Sequence, residues 1–158
     1  VSAFDTNCKM SPPLRSPDHV EALIDGIRDG TIDCLITDHA PHRPEEKELE
    51  FINAPMGIVG LEAALGLFAK ALIEPGHLTW PKMLAMLTDR PRDVIGLARV
   101  AVAPDNPADL TLIDPEADCT VDTSTWKTKS RNCPYDAWQL PARPVATILD
   151  GKVKWELG

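Results

Sequence analysis

A chain of 158 residues with 44% hydrophobic content has the length and apolar share of one packed domain, which excludes a wholly disordered polypeptide. A formal net charge of −8, with no cluster of Lys and Arg, argues against a nucleic-acid-binding surface. There is no run of about 18 apolar residues, so no membrane span is expected.

Residues 1–8 read as the end of a strand, near 1–6, followed by a loop, and Pro12-Pro13 then forbids regular structure. Ser16-Pro17 has the form of an N-cap followed by proline at the first helical position. Val20, Leu23, Ile24 and Ile27 follow at i, i+3, i+4 and i+7, which predicts an amphipathic helix ending near Gly30. Ile32-Asp33-Cys34-Leu35-Ile36-Thr37 is a short apolar run expected to form a buried strand. A helix followed by a buried strand is one unit of a parallel α/β fold.

From Asp38 to Met56 the chain is polar and carries Pro41, Pro44 and Pro55, which predicts a long loop of the kind that usually has a function. A helix is expected from near Ile58, with Leu61, Leu65, Phe68 and Leu72 on one face. A second is expected after Thr79, and a third from Asp89 to Ile95 closed by Gly96. Beyond Gly96 the character changes to short β-like segments: Leu110–Ile113, Val145–Leu149 and Val153–Trp155. Asp150-Gly151 between the last two is a two-residue hairpin turn. The expected division is therefore residues 1–96, α/β, and residues 97–158, small and β-rich.

The N-terminus, Val1 to Asp5, has neither the charged nor the apolar region of a signal peptide and does not begin with Met, which suggests a chain cut from a longer one. Cys8, Cys34, Cys119 and Cys133 are scattered without a CxxC pair, so a zinc finger is not expected. The thiols are expected reduced and the compartment cytoplasmic.

The chemistry concentrates in Thr37-Asp38-His39-Ala40-Pro41-His42, which follows the expected strand and opens the long loop. In parallel α/β folds the C-terminal ends of strands hold the active site. A carboxylate and two imidazoles there can bind a metal or move protons. The bland reading makes Asp38 a turn cap and leaves both histidines on the surface. The run Glu45 to Glu50 is expected to be a solvated loop face.

Further segments stand in a fixed order around this one. Asp5 to Arg15 precedes it, with Lys9-Met10-Ser11-Pro12-Pro13-Leu14-Arg15 inside. Gly30-Thr31-Ile32-Asp33 also precedes it, and Glu45-Glu46-Lys47-Glu48 and Met56 to Glu62 follow, then Ala108-Asp109-Leu110, Lys129 to Pro134 and Asp150 to Val153. In that order and spacing the chain resembles the C-terminal part of the dihydroorotases of the amidohydrolase superfamily. The resemblance implies an α/β fold, the C-terminal part of a (β/α)8 TIM-type barrel plus a small β-rich domain. It implies a zinc-dependent enzyme, with one or two ions, that reversibly cyclises N-carbamoyl-L-aspartate to L-dihydroorotate in pyrimidine synthesis. By the same resemblance Asp38 binds zinc and is the general acid/base, His42 holds the substrate carboxylate, and Met56 and Gly57 offer backbone groups to the pyrimidine ring. Ser11 stands where the family commonly has a substrate-contacting Asn, a departure that shortens the side chain's reach.

The family's His-x-His, bridging carboxylated lysine or aspartate, later zinc histidines and carboxylate-gripping arginine would all precede this region. A barrel takes about 250 residues, so the chain by itself is expected neither to close one nor to hold zinc tightly. The expected partners are a small-molecule substrate and a second copy of the chain or aspartate transcarbamoylase, with no nucleic acid and no membrane. Two alternatives carry different consequences. One is a hydantoinase or allantoinase. The other is a non-catalytic dihydroorotase-like subunit that scaffolds aspartate transcarbamoylase.

Overall fold

The structure is a computed structural model that describes residues 3–158. Helix α1 spans Pro17–Asp29, α2 Pro44–Lys47, α3 Ala64–Phe68, α4 Trp80–Leu87 and α5 Asp89–Ile95, with a π-helical turn, Ala69–Ile73, continuing α3. Three strands follow, β1 Leu110–Thr120, β2 Gln139–Leu149 and β3 Lys152–Glu156, forming one sheet in that order. Among the described residues the α-helices therefore lie before Gly96 and the strands after it, with one short 3-10 turn, Thr123–Thr125, between β1 and β2. The described residues also divide into two compact units that interleave along the sequence.

The first unit holds the described residues up to Asp25, Ile36–Ala64 and Thr120–Gln139. Its buried side chains are a mixed set: Val59, Ala54, Ala63, Val121 and Cys133 beside Asn132, Lys47 and Tyr135. His39 and Ile58 form an isolated parallel bridge, with the Ala40 N–H donating to the Ile58 carbonyl at 3.0 Å.

The second unit holds Gly26–Leu35, Leu65–Cys119 and Leu140–Gly158. Its core is apolar: Ala69, Leu72, Leu78, Met83, Met86 and Ala142, with Ile27, Ile32, Leu65 and Phe68 packed against them. Gly66 allows the close approach this packing needs, because a Cβ there would lie 2.8 Å from the Leu140 Cβ. Helix α5 tolerates Pro91 in its first turn, where an N–H has no intrahelical partner. It stops at Gly96, whose φ of 73° is left-handed, and the Leu97 N–H closes back on the Arg92 carbonyl at 2.8 Å. Strands β2 and β3 pair antiparallel through Asp150-Gly151, whose φ values of 51° and 69° match the turn expected of that dipeptide.

Three sequence expectations need correction. No strand forms over residues 3–6: Asp5 accepts the Asn7 N–H on its carboxylate (2.9 Å) and the Cys8 N–H on its carbonyl (3.0 Å), and the chain turns into a 3-10 turn at Thr6–Cys8. Residues 1 and 2 lie outside the described residues. No strand forms over 32–37 either. A strand is a property of a pair, and among the described residues this segment has one recorded backbone donation onward, Leu35 N–H to the Met86 carbonyl at 3.1 Å, instead of a ladder. The helix expected near Ile58 begins at Ala64, because Ile58 is spent on the bridge to His39.

Candidate functional site

Everything described here lies within the first unit. Asp38 begins the loop with φ of 43°, a left-handed backbone that few non-glycine residues adopt. Its side chain is exposed and makes no hydrogen bond or ion pair among the described residues. The two histidines of the loop are tied down. His39 Nδ1 accepts the N–H groups of Gly60 and Leu61, both at 3.2 Å, so the ring proton of the neutral form sits on Nε2.

His42 is held at both ring nitrogens and by its backbone. Nε2 donates to the Met56 carbonyl at 2.9 Å, and Nδ1 lies 3.5 Å from a carboxylate oxygen of Glu46. The Arg43 N–H, and then His42, hold Glu46 below the usual carboxylate range. The His42 N–H donates to Asn132 Oδ1 at 3.2 Å.

Gly57 is buried with φ of 146°, and a Cβ there would stand 2.7 Å from His42 Nε2. The close approach that glycine permits is therefore to the imidazole. Its N–H donates to the Lys9 carbonyl at 2.8 Å, and its carbonyl accepts from Lys47 Nζ at 3.1 Å and Asn132 Nδ2 at 3.0 Å. The peptide groups of Gly57 are thus committed within the protein. So is the Met56 carbonyl, while the Met56 side chain is exposed. Ser11 is exposed too and has no hydrogen bond among the described residues. The structure thus brings His42, Met56 and Gly57 into contact. Among the described residues the side chains of Asp38 and Ser11 make no hydrogen bond or ion pair to them.

Several residues that organise this site were not singled out by sequence reasoning. Lys47, in the run expected to be a solvated face, is buried at 7% exposure and donates to the carbonyls of Pro55 (3.0 Å) and Gly57. Burial, with Lys9 nearby, pulls its pKa below the ordinary lysine value. Lys9 Nζ donates to the carbonyls of Phe51, Ile52 and Ala54 at 2.7, 3.0 and 2.6 Å. Glu62 accepts the N–H groups of Lys127 and Thr128, both at 2.9 Å. Burial acts to raise its pKa, but these donors outweigh it and the net shift is downward. The Tyr135 hydroxyl donates to the Val59 carbonyl. Lys9, Lys47, Glu62 and Asn132 fell within motif segments, which was their only trace in the sequence. Lys47 was hidden by its acidic neighbours.

Two cavities border His42. One, of about 190 Å³, is lined by Thr6, Asn7, Lys47, Arg131 and Asn132 among others. The second, of about 480 Å³, opens between His39, Pro41, Glu46, Thr128 and Ser130. Asp38 lines neither. Among the described residues no three His, Cys, Asp or Glu side chains are grouped so as to hold a metal ion. Asp38 offers a single carboxylate ligand.

No protein-family model matches the chain. A dihydroorotase of Syntrophotalea carbinolica is 43% identical over 157 residues, which is 99% of this chain and 37% of that protein. A dihydroorotase of Geobacter metallireducens is 44% identical over 156 residues, with the same two shares. The chain is a homologue of the dihydroorotases. It spans little more than a third of the length of these dihydroorotase relatives. Solved structures agree at the level of the wider group. A D-hydantoinase (dihydropyrimidinase) from Thermus sp. superposes with a TM-score of 0.85 at 26% identity, covering 97% of this chain and 35% of that one. An L-hydantoinase (dihydropyrimidinase) from Arthrobacter aurescens gives 0.84 at 28% identity, covering 99% and 36%. No described helix is long and apolar enough to cross a membrane.

Proposed function

We propose that this chain is the C-terminal part of a zinc-dependent dihydroorotase, a cyclic-amide hydrolase interconverting L-dihydroorotate and N-carbamoyl-L-aspartate in pyrimidine synthesis in the cytoplasm. In this reading residues 1–96 are the closing segment of a (β/α)8 barrel and residues 97–158 a small β-rich domain. The observation that carries it is Asp38. Its carboxylate is exposed and uncommitted among the described residues, on a left-handed backbone and close in sequence to two histidines, His39 and His42, whose rings are held by hydrogen bonds. Backbone conformations of this kind collect at functional sites.

Asp38 fits as one oxygen ligand of a zinc ion. The residues present do not form a whole site, since zinc takes three or four protein ligands. When bound, a zinc ion with Asp38 among its ligands would supply Lewis acidity, activating water and polarising the carbonyl. The carboxylate of Asp38 takes the proton from the attacking water and returns it to the departing ring nitrogen. His42 contributes its imidazole to the substrate carboxylate, which would take the place that Glu46 holds beside Nδ1. Met56, Gly57 and Ser11 contribute contacts to the ring. With the peptide groups of Gly57 already bonded, the contribution of Gly57 is one of close packing.

The test uses the full-length protein that carries this sequence, assayed for dihydroorotate hydrolysis with zinc. Asp38→Asn keeps the side chain's size and loses its basicity, so kcat should fall by at least about 10²–10⁴-fold with the thermal melt unchanged. His42→Ala should raise KM more than it lowers kcat. Near-normal kcat in Asp38→Asn would reject the catalytic role and leave the scaffold reading. Because the structural neighbours are hydantoinases, hydantoin and dihydropyrimidine are assayed alongside. Faster turnover of either would move the assignment to that substrate class.

A further inference from the structure

We propose that Asn132 is a positioning residue that acts through His42, setting where the imidazole stands. Its bearing on catalysis rests on the functional reading above; its geometry does not. Asn132 is 3% exposed, and its amide is shared among three backbone groups from two separate segments. Nδ2 donates to the Ala40 carbonyl at 2.9 Å and to the Gly57 carbonyl at 3.0 Å, and Oδ1 accepts the His42 N–H at 3.2 Å. The Asn132 carbonyl also accepts the Val59 N–H at 3.1 Å.

This arrangement requires an amide. Two donors must point at two carbonyls while one acceptor meets an N–H, and no other side chain of this length offers that set. Aspartate would keep the acceptor but turn an oxygen toward the carbonyls of Ala40 and Gly57. Alanine would leave all three backbone groups without this partner. The imidazole is thereby fixed at two ends. Its ring is held through Nε2 on the Met56 carbonyl, and its backbone is held through Asn132. Because Gly57 follows Met56, Asn132 holds both the imidazole's own peptide and the segment carrying the ring's acceptor. A residue that sets the distance between a histidine and its partner controls binding geometry without touching the ligand. Misplacement of a site group by about 1 Å commonly costs up to about 10²-fold.

The experiment has two arms. In the full-length protein that carries this sequence, amide hydrogen exchange and imidazole ¹⁵N shifts are measured by NMR for wild type, Asn132→Ala and Asn132→Asp. Asn132→Ala should speed exchange of the His42 amide by about tenfold or more, the equivalent of one net hydrogen bond. It should also move the His42 ring away from the Nε2–H pattern while the Met83 and Met86 amides keep their protection. Asn132→Asp retains the acceptor and should restore the His42 amide without restoring the ring pattern. In the full-length protein, Asn132→Ala should raise KM for dihydroorotate by about 10- to 100-fold with much less change in kcat. Unchanged His42 exchange and ring shifts in Asn132→Ala would overturn the proposal. So would an equal loss of protection at Met83, or a failure of both variants to fold, since Asn132 would then be only structural. An inactive wild-type full-length protein would reject the functional reading alone, because the exchange arm decides the role of Asn132 by itself.

Discussion

Asn132, Lys47 and Tyr135 occupy in one unit the buried positions that Met83, Met86 and Leu72 occupy in the other. The second unit is filled by side chains that any apolar neighbour satisfies. The first is sewn together by side chains that each address particular backbone groups: Lys9 and Lys47 on carbonyls, Glu62 on N–H groups, Asn132 on both. Apolar packing is tolerant of identity and sensitive to volume. A buried polar contact is the reverse, because a partner left unmade costs more than the contact gains. A loop that leaves a carboxylate free while holding two histidines in place needs the second kind of order.

The comparison can be broken most directly at Met83, whose side chain is fully buried. Met83→Ala should cost about 2–5 kcal/mol in urea unfolding, whereas Met83→Leu, which conserves volume, should cost less than about 1.5 kcal/mol. Equal losses for the two would mean that the apolar core is not read by volume. The polar unit should show the opposite. Tyr135→Phe conserves shape but strips the donor from the Val59 carbonyl, and should cost about 1–3 kcal/mol. A neutral Tyr135→Phe would erase the distinction between the units.

The smallest effect is in acid. Glu46 and Glu62 have folded pKa values below their ordinary 4.5. Groups depressed in this way contribute stability above the unfolded value and lose it as pH falls through the folded one. The urea midpoint should therefore hold down to about pH 4.5 and decline below it. Glu62→Gln should flatten part of that decline, and an unchanged profile would show that the carboxylate's N–H partners carry no charge-dependent stability.

How far the sequence could be read followed the same line. Helix α1, helix α5 with Gly96, and the Asp150-Gly151 hairpin were legible because each rests on local rules, namely a periodicity, a cap or a turn. The strand over 32–37 was misread because β-forming composition does not supply a ladder partner. The helix start was placed at Ile58 because periodicity cannot see the bridge that takes Ile58 to His39. In the candidate site, Asp38, His42, Met56 and Gly57 were singled out through motifs, but the contact of His42 with the Met56-Gly57 segment was not foreseen. Lys47 and Asn132 were not found. Their partners are backbone atoms, which have no letter in a sequence, and Asn132 reaches its partners across 75 to 92 residues.

The Lys9 ammonium has a consequence for the order of folding. It meets carbonyls 42, 43 and 45 residues further along the chain, while Lys47 serves the next part of the same loop from only 8 to 10 residues away. Short closures form in tens of nanoseconds, and longer ones carry a larger closure entropy. The stretch from Pro55 to Gly57 can therefore be gathered early, around Lys47. The stretch from Phe51 to Ala54 must wait until the N-terminal segment arrives. A refolding experiment with pulsed isotope labelling should accordingly find the amides of 50–54 protected after those of α4, and Lys9→Met should delay them further without slowing the helix.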